Sequence, residues 1–333
     1  MVLKLLTPYQ FGQLALKNRV VMAPMCMYSA NQTGTIQPFH FSHYTARAYG
    51  GVSMVITEAT SVEARGRISD RDLGIYDHAH VEGLKQLVNA VHIADSKIAI
   101  QLAHAGRKCG VKGTQTIAPS AITFSQDYPT PLAMTLEQIH EVVNAFTLAA
   151  TRASIAGFDG IEIHAAHGYL INQFLSPLSN HRTDEYGGSL VNRTRLLKDI
   201  LTAVRSVFKG EVWLRMSAEE YAEGGHHIQD TLEVVNLIRT LIAGVNVSSG
   251  GVVPVSITPK PGYQLPFARR IRALDVPTIG GGLITTVEQM EAALDVDCDL
   301  IYLGRELLLN PYVVLQMIKK HAPERMLKAY QRG

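Results

Sequence analysis

Two histidines and a tyrosine fall within six residues of this chain. They lie in the run Ile-Glu-Ile-His-Ala-Ala-His-Gly-Tyr at 161–169, where His164, His167 and Tyr169 follow a short apolar stretch. Imidazole N–H groups can hold a carbonyl or phenolate oxygen, and a phenol with an ordinary pKa near ~10 stays protonated at neutral pH and can give its proton to carbon. The combination predicts an enzyme acting on a carbonyl-bearing small molecule. A His-x-x-His pair could equally ligate zinc, but only Glu58 stands at a neighbouring strand end as a further ligand, so no metal is expected.

Such side chains need a frame that brings them to one place. Short β-branched runs at 19–24, 52–58, 97–102, 159–164, 212–216, 244–248, 277–280 and 300–304 alternate with segments of helical periodicity. The best helix candidate starts at Thr135, where Thr-Leu-Glu-Gln fits a capping box and Ile139, Val142, Val143, Phe146 and Ala150 share a face. Eight such units predict an α/β fold, a single-domain (β/α)8 TIM barrel spanning 1–333 with a C-terminal tail at 325–333. Strand ends in this architecture converge on one mouth. Here they carry Cys26 and Tyr28, Glu58 and Ala59, Gln101 and His104, His164 and His167, Arg215, Ser248 to Gly251, Gly280 to Gly282, and Gly304 with Arg305. Glycine at the ends of strands seven and eight suits a phosphate held on backbone N–H groups. Connections 106–134, 165–187 and 249–262 are long and without obvious structure, which predicts pocket walls.

Composition excludes other classes. With 47% hydrophobic and 18% charged residues and a net charge of +2 there is no nucleic-acid footprint. Pro8 interrupts the N-terminus before a signal-peptide core, and no apolar run approaches a membrane span, so a cytoplasmic address without membrane association is expected. Cys26, Cys109 and Cys298 are too scattered for a disulfide framework, a zinc site or an iron–sulfur cluster. The mixed-charge run Arg65, Arg67, Asp70, Arg71 and Asp72 reads as a solvated loop, and His226 and His227 as surface residues.

Several ordered segments match a known family: Leu-Lys-Asn-Arg-Val-Val-Met-Ala-Pro-Met-Cys-Met-Tyr at 16–28, Gln-Leu-Ala-His-Ala-Gly-Arg at 101–107, the 161–170 run, Leu-Ser-Asn-His-Arg-Thr-Asp-Glu-Tyr-Gly-Gly at 178–188, and Leu-Gly-Arg-Glu at 303–306. The chain resembles the Old Yellow Enzyme flavoproteins, FMN-dependent ene-reductases, and above all the bacterial branch with a cysteine beside the flavin. The resemblance implies that Ala23, Pro24, Met25 and Cys26 run along the isoalloxazine, that Ala59 and Gln101 bind its pyrimidine edge, and that Arg215 sits by N1 and the C2 carbonyl. It implies that Gly282, Gly304 and Arg305 hold the phosphate. Tyr28, His164 and His167 would receive the substrate oxygen, with Tyr169 as proton donor. The ending Tyr-Gln-Arg-Gly at 330–333 is similar to a tail that reaches a neighbouring subunit's pocket in that branch, which implies substrate contact by Arg332 and a homodimer or homotetramer.

The expectation is therefore an NADPH dehydrogenase that reduces electron-poor alkenes such as enones by ping-pong kinetics, with FMN as cofactor and NADPH, or NADH, as reductant. Two other readings fit the glycine clusters: a phosphate-binding barrel isomerase or aldolase, which would want a Lys or carboxylate base at the mouth, and a flavin-binding protein without turnover.

Overall fold

Successive side chains of a barrel strand face alternately the helices and the interior, so strands covered on both sides read as near-continuous apolar runs. The computed structural model describes residues 3–332. Its strands β1 (Val20–Met22), β2 (Met54–Ser61), β3 (Lys97–Ala103), β4 (Gly160–Ala165), β5 (Glu211–Ser217), β6 (Val245–Ser248), β7 (Thr278–Gly280) and β8 (Leu300–Leu303) pair in parallel and in chain order. β8 pairs with β1 and closes the barrel. Each strand overlaps the run that predicted it.

The largest departure is at β2, which ends three residues later than expected. Its register against β3 slips between Ile56, opposite Ala99, and Ala59, opposite Gln101. This bulge inserts one residue and lets the strand continue past Glu58.

On β4, Ile161 and Ile163 join the apolar layer under the helices, leaving Glu162 and His164 on the interior face. The floor of the barrel was not foreseen. An antiparallel hairpin of Tyr9–Phe11 and Leu14–Leu16 plugs it, with Phe11 edge-on to Trp213 at 5.4 Å among Val21, Met54, Ala99 and Leu300. Apolar at the bottom and polar at the top, the interior directs its chemistry to one end.

The helix expected from Thr135 spans Leu136–Ala156. Thr135 Oγ1 accepts from Gln138 N at 3.2 Å and Gln138 Oε1 accepts from Thr135 N at 3.0 Å, a reciprocal cap that fixes where the helix begins. Two of the long connections carry structure of their own. Segment 106–134 contains the turn Gly106–Lys108 and a small ribbon of Ile117–Ala118 with Leu132–Ala133, and 165–187 contains the helix Leu170–Leu175.

Two sequence expectations are corrected. The charged run 65–72 is not simply solvated: Asp72 is buried and accepts from Ile68 N (2.6 Å), Ser69 N (3.0 Å) and Ser69 Oγ (2.8 Å), while buried Arg67 donates to the Gln32 carbonyl at 2.7 Å. Short acidic side chains do this where a turn leaves backbone N–H groups unpaired. His226 is buried too, its Nε2 lying 2.9 Å from Thr231 Oγ1. No helix among the described residues is long and apolar enough to cross a membrane.

Candidate active site

β4 ends in His164 and the turn after it carries His167 and Tyr169, so the three rings meet at the mouth. His164 lies 5.2 Å from His167 and 4.9 Å from Tyr169 between centroids, both edge-on. The backbone N–H of Ala166 donates to His164 Nδ1 at 3.3 Å, which makes Nδ1 the acceptor and leaves the proton on Nε2. The Nε2 of His167 lies 2.6 Å from Ser248 Oγ, a group that also accepts from Gln264 Nε2 at 3.1 Å. One imidazole of the expected pair is thus already engaged by the end of β6.

Burial, reinforced by Arg215 and Lys108 and, for His164, by His167, holds both imidazoles neutral: His164 well below the usual histidine range and His167 down to about 3. Burial pushes the Tyr169 phenol well above its ordinary value, with Cys26 and Tyr28 adding to the effect. The site therefore holds neutral N–H donors and a protonated phenol. Tyr28 and His167 both adopt left-handed backbone, with φ of 51° and 59°, a conformation that non-glycine residues rarely take and that clusters at functional sites.

A cleft beside these rings is lined by Ala23, Pro24 and Met25 after β1, by Arg215, by Gly282 after β7, and by Gly304 and Arg305 after β8. These are seven of the ten residues that the resemblance implies for the flavin. Of the other three, Cys26 follows Met25 directly, and Ala59 and Gln101 are register partners on β2 and β3. Two observations test the fit of an FMN. Buried Arg215 has no hydrogen-bond partner for Nε or Nη1 among the described residues, leaving two donors that call for an acceptor such as a ring carbonyl. At Gly304 a Cβ would meet nothing closer than Met25 Sδ at 3.5 Å, so the absent side chain leaves room rather than relieving a clash. An oxygen-rich, phosphorylated ring system fits this donor set.

Cys26, next to Met25 of the cleft, is a thiol, not a thiolate. Burial raises it to about 12, helped by Asp72 and Glu58, although part of the residue reaches solvent. Tyr28 is 52% exposed. Residues 325–332 do not line this chain's cleft: Arg325 donates to the Leu6 carbonyl ahead of β1, and Tyr330 packs against Tyr312.

Sequence reasoning missed three contributors, and the role of a fourth, Glu58, which it placed only at a strand end. Lys108 donates to the carbonyls of His167 (2.8 Å) and Gly251 (3.2 Å) and stands 5.1 Å from the Tyr169 ring, with burial bringing its ammonium down to about 8. The mouth does therefore hold a lysine. Glu162 accepts from Gln101, Trp213 and Asn246, each at 2.7 Å. Tyr302, under the Arg215 guanidinium at 5.1 Å, donates to Gln264 Oε1. Glu58 accepts from Met27 N at 3.0 Å and Tyr44 Oη at 3.1 Å, anchoring the segment that presents Cys26 and Tyr28.

The loops after β4 and β6 touch backbone to backbone. A Cβ on Gly168 would lie 2.1 Å from the Gly251 carbonyl oxygen, and one on Gly251 would lie 2.6 Å from His167 Cα, so only glycine permits this approach.

Comparison with known proteins shows the chain's family and fold. The model of the NADH:flavin oxidoreductase / NADH oxidase family matches residues 4–325. An NADPH dehydrogenase of Clostridium acetobutylicum is 51% identical over 318 residues, covering 94% of both chains. Among solved structures, the old yellow enzyme homologue from Zymomonas mobilis superposes with a TM-score of 0.83 at 31% identity, over 95% of this chain and 93% of that one. A 2-naphthoyl-CoA reductase superposes with a TM-score of 0.90 at 24% identity; this chain spans 53% of its length, and the two share the fold. The chain belongs to the NADH:flavin oxidoreductase / NADH oxidase family, as an Old Yellow Enzyme-type oxidoreductase that uses FMN with NADPH as reductant.

Proposed function

We propose that the protein reduces the activated C=C bond of α,β-unsaturated carbonyl compounds. The observation that carries this reading is the meeting of two neutral imidazoles and a protonated phenol beside the cleft, His164 standing 4.9 Å from Tyr169.

Ala23, Pro24, Met25, Cys26, Ala59, Gln101 and Arg215 would hold the ring system of FMN, and Gly282, Gly304 and Arg305 its phosphate. The chemistry that FMN supplies when bound is hydride storage and delivery. The protein's own residues orient and polarise the alkene. His164 offers Nε2–H to the enone oxygen, and His167 offers its N–H in competition with Ser248. These hydrogen bonds strengthen as negative charge gathers on that oxygen, which stabilises the transition state more than the ground state. Because burial keeps both rings uncharged, they act as donors without drawing the proton away. Tyr169 then gives its phenolic proton to the α-carbon. Tyr28 contributes a further wall, and Arg332 of a second copy of this chain would close the pocket, a cytoplasmic homo-oligomer being the form in which that contact exists.

Changing His164 and His167 together to alanine tests the assignment. Titrated with a para-substituted phenol, the double variant should retain FMN but lose the long-wavelength charge-transfer band. It should also lose NADPH-dependent enone turnover. A band of wild-type intensity would remove the imidazoles from the substrate oxygen.

A further inference from the structure

Glu162 stands in the middle of β4, fully buried, two residues before His164 on the same interior face. Its Oε1 accepts from Gln101 Nε2 on β3; its Oε2 accepts from Trp213 Nε1 on β5 and Asn246 Nδ2 on β6. An indole N–H can only donate, and both amides face the carboxylate with their NH2 groups, so three N–H donors converge on its two oxygens. The geometry is that of an ionised carboxylate. Burial, the largest influence, leaves its pKa raised overall, with Arg215 and the three donors pulling the other way. Asn246 presents its NH2 group to Glu162, and its own Oδ1 is buried without a partner among the described residues.

We propose that Glu162 is a positioning residue for the flavin: it fixes Gln101 with its NH2 group turned into the barrel and its carbonyl oxygen left for the imide N–H of the ring, and it offsets the charge of the Arg215 guanidinium. Affinity for FMN and the potential of the bound flavin are then set in part by a carboxylate that touches neither FMN nor substrate. Arg215 is the register partner of both His164 and Asn246, so the anion and the cation occupy successive levels of the same three strands. The inference rests on the placement of FMN over Gln101 and Arg215 proposed above.

The test is FMN titration into the flavin-free protein together with spectroelectrochemistry of the reloaded enzyme. In Glu162→Gln the new amide carries N–H groups that meet those of Gln101 or Asn246, and Gln101 turns over. The dissociation constant for FMN should rise at least about tenfold, the order expected for a buried mispaired donor. Removal of the anion also eases electron uptake nearby, so the midpoint potential rises. Trp213 is the sole tryptophan, so its emission in the flavin-free variant reports loss of the indole–carboxylate bond directly. FMN affinity within twofold of wild type with an unchanged potential would overturn the proposal.

The exchange Glu162→Gln with Gln101→Glu covers the case in which the single variant does not fold. It restores one carboxylate and one amide but reverses their order. Wild-type melting temperature with FMN affinity still weakened and a lowered potential is the expected result, and both effects should differ from those of Gln101→Glu alone, because Glu162→Gln removes the partner that orients residue 101. Wild-type affinity and potential in the exchanged protein would overturn the idea. Gln101→Met separates the two layers of the argument: unaltered FMN binding there removes the flavin placement and this inference with it, whereas weakened binding there beside normal binding in Glu162→Gln removes only the role of Glu162.

Discussion

His164 and Arg215 stand opposite each other in the register of β4 and β5, so an imidazole and a guanidinium leave adjacent strands at the same height of the barrel. The cation does for the imidazole what burial begins: it disfavours a second positive charge. A neutral donor beside a fixed cation suits a site in which negative charge develops on a bound oxygen.

The same depression predicts acid sensitivity. An unfolded histidine takes up a proton near pH ~6.5, whereas folded His167 does so only near about 3. Between these values the unfolded chain binds more protons, so stability is complete above pH ~6.5 and is lost progressively as pH falls, by up to about 1.4 kcal/mol per pH unit for one such group. Melting temperatures measured from pH 7 to 4 should fall more steeply for wild type than for His167→Asn. Parallel curves would assign the acid limb elsewhere.

Glu220 predicts the opposite sign. Burial pushes its carboxyl up to about 7, against hydrogen bonds from His226 N, Ser176 and Asn172. Folded protein therefore holds a proton that the unfolded chain releases near ~4.3, so this contribution is fully present below that value and is lost as pH rises through about 7. Glu220→Gln should raise stability by roughly 1 kcal/mol or more at pH 8 and confer no advantage at pH 5. Denaturant midpoints at the two pH values decide it.

Tyr169→Phe should separate the two halves of the catalytic cycle. Removing the hydroxyl leaves the flavin cleft intact, so reduction by NADPH should proceed at the wild-type rate in a stopped-flow experiment. Reoxidation by an enone should slow about 10²–10⁴-fold, the usual contribution of a positioned acid. Equal slowing of both halves would deprive Tyr169 of the proton-donor role.

Gly304 offers a probe of the cofactor cleft. A Cβ there meets no atom closer than 3.5 Å, but the backbone, with φ −111° and ψ −93°, lies outside the regions that side-chain-bearing residues favour. Gly304→Ala should melt somewhat below wild type without flavin, and should bind FMN at least about tenfold more weakly, because its methyl group stands where the ligand would lie. Unaltered FMN affinity would move the phosphate away from β8.

Much of this was legible in the sequence because barrel strands advertise themselves twice, by apolar runs and by polar residues where those runs end. His164, Arg215 and Gly304 were found in that way. Glu162 was missed because attention to strand ends passes over a charge in mid-strand; its signal was the two-residue alternation that puts it on the face of His164. Lys108 was hidden for a different reason. It sits in a turn, and only tertiary folding carries its long side chain to the His167 and Gly251 carbonyls. The floor hairpin combines short strands with a mixed composition, and its apolar residues acquire meaning only beneath Trp213.

Gly168 against Gly251, with Lys108 bonded across the junction, fastens three separate walls of the pocket at a single knot. Transplanting one wall from a relative would drag His167 out of alignment, whereas transplanting all three would carry the knot along. Evolution of new substrate preferences in this scaffold is therefore expected to proceed by side-chain replacement between fixed points, or by wholesale exchange, and seldom by lengthening any one wall alone.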